Sequence, residues 1–450
     1  MRSKALLLAL VVLATAWLLA QETKPAAPQP TRLVVHAAQL FDAKSGTILK
    51  DQAIFIEGDK IVKVSAAPHE IHQPKANIDY PGFGTNVPTL HVVSGTVLPG
   101  LIDVHTHLTM DPNFGLAELT MSAATQALVG AKNAKATLAA GFTSVRNVAD
   151  YWEFADVALR NAINRGEIEG PRMQASGPAI SISGGHGDSN YLPYVYRHHA
   201  MGVADGVEGV QHQVRENIKY GADVIKFMAT GGVLSSGDDP KASQYTLEEM
   251  KAIVADAHRL GRKVAAHAHG GNGIVWASEA GVDSIEHGSY IDDDGIATLK
   301  KNGTYLVPTV YLAEWFLENA ERLHVPQELQ TKAKAVFPAA DKNVAHAIAS
   351  GVKIAFGTDA AVYPHGLNAR QFPYLVRLGM TPVQAIQSAT VNAADLMGWS
   401  EKVGTIEAGK FADIIAVDGD PTKDVTTLEH PKLVIKGGVV YKNETAAMHE

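Results

Sequence analysis

The sequence predicts an α/β protein, a (β/α)8 TIM-like barrel carrying a small β-sandwich domain built from both chain ends. Three observations carry that expectation. The chain has 450 residues, which leaves room for a barrel of roughly 250 to 400 residues with a smaller module beside it. Over residues 99–403 short apolar runs alternate with longer helical patterns, the signature of a parallel sheet. On either side of that stretch the apolar runs are short and separated by turn formers, which reads as hairpin-connected β structure.

In chain order, Arg2 and Lys4 precede an apolar run from Ala5 to Ala20, followed by a polar, Pro-rich segment. Residues 1–20 read as a secretory signal peptide cleaved after Ala20, and 21–31 as a linker. The run falls short of the ~20 residues a spanning helix needs. The expected location is therefore periplasmic or secreted, with no stable membrane association after processing. Residues 32–98 form the first part of the β-sandwich, with strands such as Ala53-Ile54-Phe55-Ile56 and turns at Ser45-Gly46 and Gly58-Asp59. Residues 66–89, containing several Pro and Gly, read as an irregular loop before a strand at 91–93.

Within the barrel segment the expected helix and strand pairs are 117–140 with 141–146, 207–220 with 222–227, and 247–260 with 264–267. They continue as 273–280 with 284–287, 295–302 with 305–309, and 341–350 with 353–356, before a last helix at 382–396. Residues 404–445 return as the second part of the sandwich, with strands at 413–417 and 432–440. Some forty residues of strand need outside partners to bury a face, which favours return to the first β module over a separate domain.

Composition narrows the function. With 46% hydrophobic and 19% charged residues the chain is an ordinary globular protein. A net charge of −8 and the lack of a Lys/Arg cluster argue against nucleic acid as a partner. No cysteine is present, so thiolate chemistry, disulfides and Cys-based zinc sites are excluded. A metal would have to use carboxylates, a modified side chain or some of the 19 histidines.

The run Leu98-Pro-Gly-Leu-Ile-Asp-Val-His-Thr-His107 reads as a buried strand after a Pro-Gly turn, projecting His105 and His107 to one side. Two imidazoles on one face can grip one ion, and the plain alternative is a hydrogen-bonded pair in the core. Four more ligand-type residues close other apolar runs: Lys226, His267, His287 and Asp359. Taken singly, Lys226 could reach solvent and Asp359 could cap a turn. Together they fall at the C-terminal ends of successive strands, the rim where such barrels carry active sites.

This order, with the Thr230-Gly231-Gly232, Glu286-His287-Gly288 and Gly357-Thr358-Asp359 segments, resembles the amidohydrolase superfamily. The branch it is most similar to holds metal-dependent Xaa-Pro dipeptidases, aminoacyl-amino-acid carboxypeptidases and ochratoxinase-like amidases. The resemblance implies two divalent metal ions, zinc being the expected element, bridged by a Lys226 carboxylated from CO2. It places His105, His107 and Asp359 on one ion and His267 and His287 on the other. Lysine bonds CO2 only as a neutral amine, and its ordinary pKa of ~10.4 must fall by burial for that to happen. Metal ions can bring the pKa of a water to ~7, making a bridging hydroxide the nucleophile, with Asp359 moving its proton to the leaving amine. Tyr290 is the candidate donor to the oxyanion, against a plain packing role at the rim. His186 in a Gly-rich loop, His269 beside His267, and His365 after Asp359 are candidate substrate contacts.

The function expected is hydrolysis of an amide or peptide bond next to a free carboxylate, whose carboxylate meets donors from the barrel loops. Dipeptides such as Xaa-Pro, N-acyl or aminoacyl amino acids and ochratoxin-like amides fit. The partner is thus a small molecule or dipeptide, and a homo-oligomer is compatible with the sequence. A mononuclear deaminase or imidazolonepropionase-like enzyme is the alternative within the superfamily, and would leave Lys226 unmodified. A non-catalytic exported binding protein is the alternative of another class, although all six ligand positions are kept.

Overall fold

A computed structural model of the protein describes residues 31–67, 77–113 and 119–445. The expected signal peptide at 1–20 and nearly all of the linker lie outside the described residues. The N-terminal strands are β1 (Arg32–Asp42), β2 (Thr47–Glu57), β3 (Lys60–Ala66), β4 (Asn77–Tyr80) and β5 (Gly84–Pro99). Strands β1, β2 and β3 pair antiparallel, with Val35 opposite Ile54 and Ile54 opposite Val64. The region expected to be an irregular loop contains instead the hairpin β4–β5, which turns through Pro81-Gly82-Phe83. Gly82 has φ +80° there, which glycine adopts without strain. Pro88 and Gly84 dilute the strand pattern of β5, which hid it.

Seven parallel strands follow: β6 (Leu101–Thr106), β7 (Phe142–Asn147), β8 (Arg172–Ala175), β9 (Val224–Met228), β10 (Lys263–Ala268), β11 (Ser284–His287) and β12 (Tyr305–Val307). They form two ladders, β6-β7-β8 and β9-β10-β11-β12. Just past β8, Ile180 donates to the Lys226 carbonyl and accepts from Met228, each at 2.9 Å. On the other flank Ile354 bridges Leu306 in parallel, and Phe356 accepts from Val104 at 2.9 Å. The expected strand at 353–356 is therefore present as a single bridge with hydrogen bonds to both sides.

Helices α1 (Ala123–Ala139), α2 (Ala155–Asn164), α3 (Gly206–Lys219), α4 (Leu247–Arg259), α5 (Gly271–Ala280) and α6 (Asp293–Asn302) connect these strands. Their ends are written in the sequence. Thr246 and Glu249 form a capping box on α4, and α6 carries Asp293 and Asp294 in its first turn with Lys300 and Lys301 in its last, matching the helix dipole. The helix expected at 117–140 starts later, capped by Ser122; residues 117 and 118 lie outside the described residues.

The later helices depart from expectation. Helix α7 (Tyr311–Asn319) was not anticipated, and α8 (Gln327–Ala349) extends the expected 341–350 segment backwards through Pro338, a residue that usually interrupts a helix. Beyond α9 (Gln371–Arg377), the segment 382–396 divides into α10 (Pro382–Ser388) and α11 (Val391–Leu396). The break has a cause: the carbonyls of Ser388 and Ala389 accept from Phe356 and Ile102, leaving the helix to serve the strands.

The chain then returns through β13 (Ile414–Asp418), β14 (Leu433–Lys436) and β15 (Val439–Asn443). Strand β13 pairs antiparallel with β5, Ile415 opposite Leu98, so both chain ends share one eight-stranded sheet. The expected strand at 432–440 is a hairpin turning at Gly437-Gly438. An apolar cluster including Val35, Ile54, Val92, Ile414 and Leu433 lies within this sheet, separate from the larger core around the parallel strands.

Candidate metal centre

Strand β6 is buried along its whole length and ends in the first ligand pair. Asp103, on the same strand, accepts from the backbone nitrogens of His105 and Thr358, the Thr358 hydroxyl at 2.6 Å and the Asn368 amide at 2.8 Å. Burial pushes Asp103 up to about 6, against the opposing pull of Thr358 and Asn368. Asp103 thereby ties the segment at 358 to β6. Asp359 donates its N–H to the His105 carbonyl at 2.8 Å, and its Oδ1 stands 3.1 Å from His107 Nε2 and 3.5 Å from His105 Nε2. Gly357 is required by this approach, since a Cβ there would fall 2.8 Å from His105 Cβ.

A second group consists of His267, His269 and His287. In each group the ligand atoms lie within 4.8 Å of one another. The rings of His267 and His269 sit 4.6 Å and 4.9 Å from that of His287, and His105 is also 4.9 Å from His287, so the groups adjoin. Lys226 on β9 pairs in register with Ala265 on β10, is 1% exposed, and lines the same cavity. Burial brings its pKa down to about 8, against Glu286 and Asp359, which raise it.

Burial also favours the neutral imidazole in the second group. His267 and His287 titrate well below the ordinary histidine range through burial and neighbouring histidines, and burial takes His269 down to about 3. Neutral imidazole is the form that binds a metal. Hydrogen bonds set the ring orientations: His105 Nδ1 meets Glu286 Oε2 at 2.7 Å, His287 Nδ1 meets Thr309 Oγ1 at 2.8 Å, and His269 Nδ1 meets Ser289 Oγ at 2.8 Å. The Nδ1 of His107 is buried and has no partner among the described residues. Neutral nitrogens around a carboxylate make a donor set that suits zinc and similar divalent ions.

The sequence reading missed the group beneath His105. Glu286, fully buried, takes Arg146 Nη2 on Oε1 at 2.8 Å, while Arg146 also donates to the Val104 carbonyl and to Ser284. A signal was present, because a charged residue inside a strand expected to be buried needs a partner. Both Arg146 and Glu286 are such residues.

The remaining candidates divide. His186 lines the cavity, its ring 4.2 Å from that of His267, and Gly232 makes the room: a Cβ there would fall 2.1 Å from His186 Nδ1. His269 belongs to the second ligand group as well as to the cavity wall. His365 is not among the lining residues, and its Nε2 is engaged by the His107 carbonyl at 3.2 Å, so it braces backbone. Tyr290 is also absent from the lining. Its N–H donates to the His269 carbonyl, and Lys241 Nζ lies 4.4 Å from its ring centroid. The cavity walls are largely apolar, with Met110, Met201, Met228, Leu234, Val310 and Phe337, and Lys226 is the one Lys or Arg among the described lining residues.

Residues 96–441 match the amidohydrolase family. An ochratoxinase of Aspergillus niger is 36% identical over 442 residues, covering 93% of this chain and 88% of the relative. The solved structure of a Xaa-Pro dipeptidase with methionine bound in its active site superposes with a TM-score of 0.84 at 37% identity, covering 92% of this chain and all of that one. A prolidase solved with N-methylphosphonate-L-proline superposes at 0.82 with 30% identity, again over 92% of this chain and 100% of the other. These likenesses imply a TIM-barrel fold.

Proposed function

From the premise that the chain belongs to the amidohydrolase family and is a hydrolase acting on amide bonds, we propose that it is an exported enzyme cleaving the amide or peptide bond next to a free carboxylate. Dipeptides such as Xaa-Pro and N-acyl or aminoacyl amino acids are the substrate class. The observation that carries this reading is the meeting of His105, His107 and Asp359 with His267 and His287 around a buried Lys226. We read the hydrogen-bonded run from β6 to β12, closed through 354–359, as an eight-membered barrel with these side chains at its active rim.

His105, His107 and Asp359 would hold one divalent ion, and His267 and His287, with His269 in reach, a second. Such ions supply Lewis acidity toward the acyl oxygen and acidify a water toward pH 7. Lys226, whose proton burial makes easier to lose, would react as the free amine with CO2, releasing one proton, and the carbamate formed, its single negative charge shared by two oxygens, would help to hold the ions. Asp359 takes a proton from the attacking water and delivers it to the departing nitrogen. The apolar walls exclude water and receive the substrate's side chains.

Metal analysis joined to a screen of Xaa-Pro dipeptides and N-acyl amino acids tests the proposal. Two ions per chain and cleavage of one class are expected. Lys226→Ala should lose metal and activity, and Asp359→Asn should nearly abolish turnover while keeping the fold. One ion per chain with unmodified Lys226 would favour the deaminase or imidazolonepropionase-like reading. Export predicts a mature chain beginning at Gln21, and an exported protein whose intact mass still begins at Met1 counts against it.

A further inference from the structure

Gln371, the first residue of α9, is fully buried and holds two separate turns with one amide. Its Nε2 donates to the Pro308 carbonyl at 2.9 Å and to the Gly357 carbonyl, and its Oε1 accepts from Val310 N at 3.0 Å and Tyr311 N at 3.5 Å. Two hydrogens and two lone pairs are all that a side-chain amide offers, so every capacity is used. The orientation is fixed as well, because the flipped amide would set N–H against N–H and oxygen against oxygen.

Each turn leads to one ligand group. Pro308 and Val310 flank Thr309, whose Oγ1 meets His287 Nδ1 at 2.8 Å. Gly357 stands two residues before Asp359, and the N–H groups of Thr358 and Asp359 both reach the His105 carbonyl, at 3.2 and 2.8 Å. Helix α7 begins at Val310, which has no side-chain oxygen to cap it, so Gln371 Oε1 serves the orphaned N–H groups of that helix end. Just before α9, Asn368 donates to Asp103 at 2.8 Å and to Thr358 Oγ1 at 3.3 Å, gripping the segment at 358 from the side of β6. The link through Gln371 is separate from the contact of Glu286 with His105, which joins the groups through a ring nitrogen.

We infer that Gln371 is a positioning residue that binds the turn bearing Asp359 to the turn that aims His287, so that one amide sets the spacing of the two ligand groups. Its consequence for metal binding rests on the metal-centre reading of those groups, whereas the tie itself is measured on metal-free protein.

Gln371→Met keeps the length of the side chain and removes all four bonds. In hydrogen–deuterium exchange of the metal-free full chain, peptides covering 308–311 and 357–359 should both exchange about tenfold faster than in the wild type, the effect of losing one hydrogen bond. Leu375→Ala, which opens a hole beside the same helix, should leave both segments at their wild-type rates. Faster exchange at only one of the segments, or at neither, overturns the inference. Zinc binding is then followed by equilibrium dialysis. Both successive dissociation constants should rise about 10- to 100-fold in Gln371→Met and stay within about twofold of the wild type in Leu375→Ala. A Gln371→Met protein that melts earlier but binds zinc as the wild type does has lost stability alone, and the positioning role is rejected. A wild type that takes up a single ion refutes the two-ion reading, and the exchange rates then decide on the tie by themselves. If Gln371→Met does not fold, Gln371→Glu takes its place, since it keeps the acceptor and removes both donors. It should free 357–359, keep its hold on 310–311 and weaken zinc by the same factor; an unchanged exchange rate at 357–359 overturns the inference.

Discussion

Glu286→Gln changes one atom's chemistry beneath the metal centre and separates orientation from coordination. The carboxylate is fully buried and accepts on both sides, from Arg146 Nη2 at 2.8 Å and from His105 Nδ1 at 2.7 Å. Burial alone would raise its pKa, but Arg146 and then His105 bring it down to about 2, so it is charged at neutral pH. Glutamine offers one acceptor and one donor group. If its oxygen keeps His105, its NH2 faces the guanidinium and leaves a buried charge uncompensated. If its oxygen keeps Arg146, its NH2 forces His105 to lose its Nδ1 proton and exposes an Nε2–H to the ligand side. Breaking one side of a buried ion pair costs about 3–5 kcal/mol, and loss of such an outer partner costs about 10- to 100-fold in metal affinity. Equilibrium dialysis with metal analysis reads the second number, and denaturant melts of the same samples read the first. The carboxylate's stabilisation is fully present above the ordinary pKa near 4.5 and is lost as pH falls toward 2. The variant should therefore lack that acid limb. A variant that binds metal and unfolds as the wild type does, with the same acid profile, refutes the argument. The double change Arg146→Met with Glu286→Leu should recover part of the stability and none of the metal affinity.

Three further outcomes follow from single contacts. Gly232→Ala puts a methyl 2.1 Å from His186 Nδ1; displacement of that ring should lower kcat/KM by about 10²-fold, with metal content unchanged on elemental analysis. Tyr290→Phe should change kcat less than about tenfold because Tyr290 is not a lining residue, and a loss near 10²-fold in steady-state assays would restore the oxyanion role. Lys436, near Arg172 and Asp413, is lowered by burial to about 8 from 10.5. The unfolded chain then holds the extra proton between those values, so stability rises with pH across the window, by at most about 3 kcal/mol. Lys436→Met should abolish the rise in urea melts between pH 8 and 10.5.

Strand positions were legible where hydrophobic runs end in chemistry. The Pro-Gly turn before β6, the run with Lys226 at its middle, and the runs closing at His267 and His287 were readable because parallel strands are buried on both faces and stand out as apolar runs. The hairpin β4–β5 was not, since Pro88 and Gly84 contradict local propensity and only pairing to β1 justifies the strand. Helix α8 was half-legible for the same reason, Pro338 falling within a helix that tertiary packing sustains. At the site the ligands were visible from order and spacing, but the acceptors that aim them were not. Glu286 sits 181 residues from the histidine it holds, and no local pattern encodes that contact.

The backbone at the ligands shows how the chain itself shapes the centre. His287 and Asp359 both adopt left-handed conformations, with φ 71° and 60°, which cost non-glycine residues roughly 1–2 kcal/mol each. Neither is a loop excursion. Gly288 donates to the Ala268 carbonyl at 3.0 Å, fixing the turn after His287 against β10, and Asp359 donates to His105 at 2.8 Å, fixing the other turn against β6. Each strand thus ends in a kink that turns a ligand inward, held by the strand bearing a neighbouring ligand. Each group is thus tied together through backbone, and the two are joined where Glu286, next to His287, holds His105 Nδ1 at 2.7 Å. Disturbing one turn moves histidines of the adjacent strand, so the centre responds to mutation as a unit, and effects at His287 and Asp359 should be far from additive.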